Sequence, residues 1–236
     1  MLIGDNMKKV LLTFLFLLIC FSTVACGKKT DAEIFKKEYE SLNGAKNDNG
    51  KIIRTVTIPK DNPFIYQTAD ELADRIDNKE TFVVYFGFAK CPWCRSMIEQ
   101  LIKSAEDHNI EKIYYVDVLD IRDEFEISES EGVVQTNTGT KGYNRLLDQL
   151  DNVLEDYYIL NDKDEKVNTK EKRIYAPNVV AIVNGKAEKL VEGISPKLED
   201  PYAKLTEEML EESYNSFNCI WECYQSDSNT CQKSAC

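Results

Sequence analysis

The sequence predicts an α/β protein in which a central mixed sheet is flanked by helices. First, strand patterns alternate with amphipathic helix patterns from residue 68 to about 117, which favours parallel β-α-β units. Second, the run TFVVYFGF at 81–88 is almost continuously apolar, as in a central strand covered on both faces. Third, Asn184-Gly185 separates two strand-like segments, which indicates a hairpin that adds antiparallel strands.

The first half of the chain supplies the early units in order. Segment 51–59 alternates β-branched residues and predicts a strand that ends at Pro59. Thr68 and Glu71 have the spacing of a capping box, and the apolar residues that follow share one helical face. Pro92 suits the first turn of another helix, after which KIYYVDV predicts a further strand.

The second half is more varied. Segment 119–140 is acidic and irregular, 142–157 has helical spacing, and 157–169 predicts a strand and a polar turn. A hairpin is predicted over 178–194, followed by one long amphipathic helix over 203–224.

Residues 1–25 are predicted to be a lipoprotein-type signal peptide. Lys8 and Lys9 precede an apolar region of ten residues, 10–19, which is shorter than the roughly 20 that a spanning helix needs. The segment ends in TVAC, which resembles a lipobox and implies that Cys26 is lipidated. Residues 26–50 would then form a tether with a short helix. An ordinary signal peptide is the alternative, and both place the domain outside the cytoplasm, where disulfides persist.

Charge and histidine content exclude several functions. The 41 acidic and 29 basic residues give a net charge of −12 spread along the chain, which argues against a nucleic-acid partner. His108 is the only histidine and lies at the polar end of a predicted helix, so a His-based triad or zinc site is not expected. We therefore expect no metal and no bound cofactor.

Of the eight cysteines, Cys20 leaves with the leader and Cys26 would carry lipid, and an even number remains for pairing in an oxidising compartment. Four of these lie in a cysteine-rich tail at 218–236, where we expect structural disulfides nested as Cys223–Cys231 and Cys219–Cys236. A second redox pair and a four-thiolate zinc site are the alternatives for this tail.

Cys91 and Cys94 form a Cys-Pro-Trp-Cys motif where a strand meets a helix. At the helix N-terminus, unpaired N–H groups and the macrodipole would stabilise a Cys91 thiolate, the reactive form. Cys94, one turn later, would attack a mixed disulfide formed by Cys91. Trp93 would offer a stacking surface beside the reactive sulfur. An inert disulfide and half of a zinc knuckle are the competing interpretations.

The motif and the Ala176-Pro177 pair before VVAIVNGK resemble the thioredoxin superfamily over residues 68–217. This resemblance implies a thioredoxin-like domain at 51–217, a cis peptide before Pro177, and an Ala176 backbone that binds extended substrates. Cys94 and Pro177 are 83 positions apart, about twice the thioredoxin distance, so an insertion is expected at about 120–170. FVVYFGFAKCPWCR is most similar to the bacteriocin transport accessory proteins of Gram-positive bacteria.

One position departs from the thioredoxin pattern. Where thioredoxin has a buried aspartate, six residues before its first cysteine, this chain has Tyr85. We expect Tyr85 to pack inward below Cys91 and not to titrate near neutrality, since a tyrosine has an ordinary pKa of about 10. Lys90 is the nearest charged residue in sequence and could favour the Cys91 thiolate.

These features predict a membrane-anchored thiol–disulfide oxidoreductase on the extracytoplasmic face of a Gram-positive cell membrane. Its partners would be cysteine-containing extracytoplasmic proteins, with a membrane electron donor or an exporter as a candidate partner. The alternative is a redox-inert thioredoxin-fold module that binds secreted peptides or assists an exporter. A metal chaperone is disfavoured by the scarcity of histidine and the lack of a Met-rich loop.

Overall fold

The computed structural model describes residues 29–128, 130, 132–226 and 231, and from Asp31 onwards these form one compact unit. The helices are α1 (Asp31–Glu40), α2 (Ala69–Asp77), α3 (Pro92–Asp107), α4 (Lys141–Leu150), α5 (Glu207–Ser216) and α6 (Asn218–Gln225). The strands are β1 (Phe64–Tyr66), β2 (Phe82–Gly87), β3 (Ile113–Asp117), β4 (Glu124–Ser128), β5 (Gly132–Asn137), β6 (Glu155–Leu160), β7 (Lys166–Arg173), β8 (Asn178–Val183) and β9 (Lys186–Val191).

A five-stranded mixed sheet forms the centre of the fold, in the order β1-β3-β2-β8-β9. Strands β1, β3 and β2 are parallel, whereas β8 is antiparallel to both β2 and β9. All six residues of β2 are buried, as the apolar run predicts for a central strand. The structure therefore confirms an α/β architecture with a mixed sheet.

Helices cover both faces of this sheet, and the alternation of side chains along β2 divides the core into two layers. Val83 and Tyr85 pack in one layer with buried residues of α1, α3 and α6. Val84 and Phe86 pack in the other layer with residues of α2 and α4. The N-terminal helix α1, which the sequence analysis assigns to the tether, is thus part of the core.

The prediction of a strand at 51–59 is wrong. Apart from an isolated bridge at Ile52, the segment is irregular, although Ile53, Val56 and Ile58 are buried. Side-chain oxygens, rather than the carbonyl groups of a neighbouring strand, accept hydrogen bonds from the backbone N–H groups of this segment. Val56 N–H donates to Asn43 at 3.0 Å, and Ile58 N–H donates to Glu40 at 2.9 Å. The alternating pattern therefore reflects the burial of an extended segment that has no sheet partner.

Other elements also differ from the prediction, among them the helix expected over 142–157, which ends at Leu150 before β6 begins at Glu155. The single helix expected over 203–224 is divided into α5 and α6 at the buried Phe217. The segment expected to be irregular contains the β4–β5 hairpin, and the predicted strand and turn at 157–169 belong to the β6–β7 hairpin. Both hairpins form two-stranded sheets outside the central sheet. Helix α4 lies between them in sequence and packs in the core layer that contains Val84 and Phe86.

The predicted hairpin between β8 and β9 is confirmed. Asn184 and Gly185 have φ values of 52° and 72°, the left-handed conformations that such a two-residue turn requires. Gly185 also lies against α2, because a Cβ atom there would be 2.3 Å from the Ile76 carbonyl oxygen. The turn therefore both closes the hairpin and brings it close to a flanking helix.

In the tail, Cys223 and Cys231 form a disulfide, as predicted. Cys219 is also disulfide-bonded, and Cys236, its predicted partner, lies outside the described residues. Residues 1–25, with the predicted signal peptide, and Cys26 lie outside them as well. Within the part of the chain that the structure describes, no helix is sufficiently long and apolar to cross a bilayer.

We expect the Cys223–Cys231 bond to act as a structural link rather than a redox pair. Both residues are fully buried, and closing a loop with a sequence separation of 8 should stabilise the fold by about 2–3 kcal/mol. After mild reduction and alkylation, mass spectrometry should find label on Cys91 and Cys94 but none on Cys223 and Cys231. Labelling of the tail pair as fast as Cys91 would contradict this assignment.

Candidate active site

Two free thiols, Cys91 and Cys94, lie where the chain passes from β2 into α3. Cys91 is the N-cap of α3, and its Sγ accepts a hydrogen bond from the Cys94 N–H at 3.2 Å. Pro92 begins the helix, where its missing N–H leaves no unpaired donor. Cys91 is 3% exposed and Cys94 is fully buried, so the first sulfur lies nearer to solvent.

The two thiols differ in acidity. Burial raises the pKa of Cys91, but hydrogen bonds from the Cys94 thiol and from the Cys94 and Trp93 N–H groups, with the charge of Arg122, outweigh burial and lower it overall. Burial, and then the hydrogen bond that Cys94 donates to Cys91, raise the pKa of Cys94 well above its ordinary value. The pair therefore combines an acidic outer thiol with an inner thiol that stays protonated.

A groove next to Cys91 brings the three predicted substrate-binding residues together. Cys91 Sγ lies 3.2 Å from the Ala176 carbonyl oxygen, and the Ala176–Pro177 peptide is cis. Trp93, Ala176 and Pro177 line an open groove of about 470 Å³, together with other residues that include Ile194. An extended segment in this groove would pass directly beside the Cys91 sulfur.

Tyr85 is fully buried and packs in the same core cluster as the two cysteines, and hydrogen bonding with Cys94 contributes to its pKa. Burial, and then the charge of Cys94, raise the pKa of Tyr85 well above its ordinary value, in keeping with the expectation that it does not titrate near neutrality. Lys90 is exposed. The charge that lowers the Cys91 pKa in the structure belongs to Arg122, whose guanidinium lies 5.3 Å from the ring centre of Phe88.

We expect Arg122→Gln to raise the pKa of Cys91, because it removes a positive charge that favours the thiolate. The iodoacetamide alkylation rate of Cys91 should then fall at neutral pH. Lys90→Gln is the matched control, since it removes an equal charge from the exposed position adjacent to the motif. A larger effect of Lys90→Gln than of Arg122→Gln would restore the role that the sequence analysis gives to Lys90.

No family model matches this chain, and no curated protein or solved structure is significantly similar to it. In the described part of the chain, no group of three or more His, Cys, Asp or Glu residues is arranged to hold a metal ion.

Three residues that shape this site were not predicted from the sequence. Arg95 directly follows the motif and is buried, and its sequence position could have marked it. Tyr39 lies on the apolar face of the predicted short helix, so its burial was foreseeable, but its contact with Tyr85 was not. Arg122 occurs in a segment without periodicity, and nothing in the local sequence connects it to Cys91.

Proposed function

We propose that this protein is a thioredoxin-like thiol–disulfide oxidoreductase that acts on protein cysteines, with Cys91 as the nucleophile and Cys94 as the resolving thiol. The observation that carries the proposal is the asymmetry of the free Cys91–Cys94 pair. The outer sulfur is held at a helix N-terminus with a lowered pKa, and the inner sulfur is buried and protonated. Catalytic dithiols require this difference, because the attacking group must be a thiolate.

The reaction would proceed in two exchanges. The Cys91 thiolate attacks a client disulfide, forms a mixed disulfide and releases one client thiolate. Cys94 then loses its proton and attacks the Cys91 sulfur, which forms the Cys91–Cys94 bond and releases the second client thiol. Two electrons pass from the dithiol to the client, and the same steps in reverse would oxidise a client. No bound cofactor takes part.

The groove supports proteins as substrates. Its open form and the Ala176 carbonyl next to Cys91 suit an extended peptide that lies along Trp93 and Pro177. Together with the predicted leader and lipidation at Cys26, the proposal places this activity at the outer face of a cell membrane. A membrane electron donor would then be needed to reset the dithiol after each reduction.

Insulin reduction by the soluble chain from residue 27 tests the proposal. We expect dithiol-dependent turnover for the wild type and background rates for Cys91→Ser, because serine cannot form the mixed disulfide. Equal, background-level rates for both proteins would refute the proposed activity. Titration of Cys91–Cys94 against glutathione tests the redox-inert alternative, since structural disulfides have potentials below about −300 mV and catalytic ones lie higher.

A further inference from the structure

We propose that a buried chain of two tyrosine hydroxyls, Tyr39 and Tyr85, supplies the hydrogen bond that stabilises the Cys94 thiolate when it resolves a mixed disulfide. The inference rests on the proposed function and extends it to the second exchange step. Tyr85 would be a catalytic residue, because it contacts a reacting sulfur. Tyr39 would be a positioning residue that acts through Tyr85.

The contacts form a continuous chain from α1 to the dithiol. The hydroxyl oxygens of Tyr39 and Tyr85 are 2.8 Å apart, although the residues are 46 positions apart in sequence. The Tyr85 side chain in turn packs in the same buried cluster as Cys91 and Cys94, and hydrogen bonding from its hydroxyl lowers the pKa of the Cys94 thiol against the effect of burial. Tyr39, Tyr85 and Cys94 are all fully buried, so water does not compete for these bonds.

The number of available acceptors determines which hydroxyl donates in the hydrogen bond between Tyr39 and Tyr85. Among the described residues, Tyr85 is the hydrogen-bond partner shown for the Tyr39 hydroxyl. If Tyr85 donated its proton to Tyr39, the Tyr39 proton would be left buried without an acceptor, which is unfavourable. Tyr39 therefore donates to Tyr85, and the Tyr85 proton is directed to Cys94. A donor that points at sulfur favours the thiolate over the thiol.

The fold holds both rings in place. The Tyr39 ring stacks on Phe35 at a centroid distance of 4.4 Å, and the Tyr85 ring stacks on Tyr115 at 5.4 Å. A Cβ atom at Gly87 would lie 2.3 Å from the Tyr85 hydroxyl oxygen. The glycine two residues after Tyr85 therefore leaves the space that this hydroxyl occupies.

The two tyrosine hydroxyls would assist the second exchange step, in which Cys94 must react as a thiolate. Cys94 must lose its proton before it attacks Cys91, yet burial strongly favours its thiol form. A hydrogen bond from Tyr85 stabilises the charge on sulfur during the attack. As the Cys91–Cys94 bond forms and the bond to the client breaks, the charge passes to the departing client sulfur, which takes up the proton that Cys94 released. Tyr85 remains a neutral phenol throughout.

Reaction of the reduced protein with dithiobis(nitrobenzoate) separates the two steps. Attack by Cys91 releases one nitrothiobenzoate, and resolution by Cys94 releases the second, so each phase is followed by absorbance. We expect Tyr85→Phe to slow the second phase about tenfold, the effect of losing one hydrogen bond to a charged group. Tyr39→Phe should slow it by a smaller factor, and the first phase should change little in either variant.

The pH profile of the second phase is a readout that a structural role alone would not move. We expect its midpoint to rise in Tyr85→Phe. The ionisable groups around Cys94 in this phase are Tyr85 and, behind it, Tyr39, because Cys91 is bonded in the mixed disulfide and no longer titrates. Beyond these, Arg122 acts on Cys91, and Arg95 lies 5.7 Å from the Tyr39 ring centre.

Tyr115→Phe is the matched control. This tyrosine is equally buried and stacks on Tyr85, but its hydroxyl has no hydrogen-bond partner in the described structure. Unchanged second-phase kinetics and pH midpoint in Tyr85→Phe, or an equal slowing in Tyr115→Phe, would overturn this inference alone. A wild-type protein that releases only the first nitrothiobenzoate would overturn the proposed function and this inference with it.

Discussion

Cys94→Ser will trap Cys91 in mixed disulfides with client proteins. In the native site Cys94 is the third residue of α3, within its first turn, and its N–H already contacts the Cys91 sulfur at 3.2 Å. Intramolecular attack from such a position can have effective concentrations on the order of 10⁵ M or more, so we expect resolution to slow by at least about a thousandfold. The measurement is the amount of covalent complex on non-reducing gels after incubation with disulfide-bonded proteins.

The control for this experiment is the double variant Cys91→Ser, Cys94→Ser, which keeps the groove but lacks both thiols. It should form no complex. Mass spectrometry of the trapped species should assign the bond to Cys91. Complexes that form equally in the double variant, or through tail cysteines, would contradict the assignment of Cys91 as the nucleophile.

Arg95→Met will cause the largest loss of stability that we expect from a single change near the site. Arg95 is 1% exposed, and its guanidinium donates to the carbonyl oxygens of Arg54, Tyr39 and Ala89 at 2.7, 3.0 and 3.0 Å. It also donates to Asn43 Oδ1 at 2.5 Å. Methionine preserves much of the side-chain volume but leaves the Arg54 and Ala89 carbonyl oxygens unpaired. The other two acceptors keep a donor, since Leu42 N–H donates to the Tyr39 carbonyl oxygen and Val56 N–H donates to Asn43 Oδ1. Since each such acceptor costs about 1–3 kcal/mol, we expect a loss of about 3 kcal/mol or more.

Urea-induced unfolding followed by circular dichroism measures this loss. Arg145→Met is the matched control, because Arg145 makes ion pairs with Asp74 and Asp77 at 2.8 Å on an accessible surface. Its removal should cost much less, since solvent screens surface pairs. Similar losses for the two variants would show that the buried guanidinium is not a principal link between the N-terminal segment and α3.

Arg95 also shows why the N-terminal segment belongs to the functional unit. Its acceptors lie on α1, in the extended segment that follows α1, and in the loop before Cys91. One side chain thus joins the part of the chain expected to be a tether to the helix that carries both thiols. Tyr39, on the same α1, contacts Tyr85 below them.

Local sequence patterns determined the elements whose geometry depends on near neighbours. The spacing of Cys91 and Cys94 at a strand–helix junction was sufficient to predict an N-cap sulfur and a partner one turn away, because helix geometry alone relates them. The Asn184-Gly185 turn and the central position of β2 followed similarly from backbone preference and from continuous apolar character. The Cys223–Cys231 pairing followed from a short return of the chain.

Tertiary structure alone decided which distant groups meet at the site. Segment 51–59 has the alternation of a strand, but side chains of Asn43 and Glu40 occupy its backbone groups, so no strand pairs with it. Tyr39 reaches Tyr85 and Arg122 acts on Cys91 across long stretches of sequence. Periodicity specifies which face of an element is buried. It carries no information about which atom from elsewhere in the chain will lie against that face, and the polar contacts that tune a buried thiol depend on that atom.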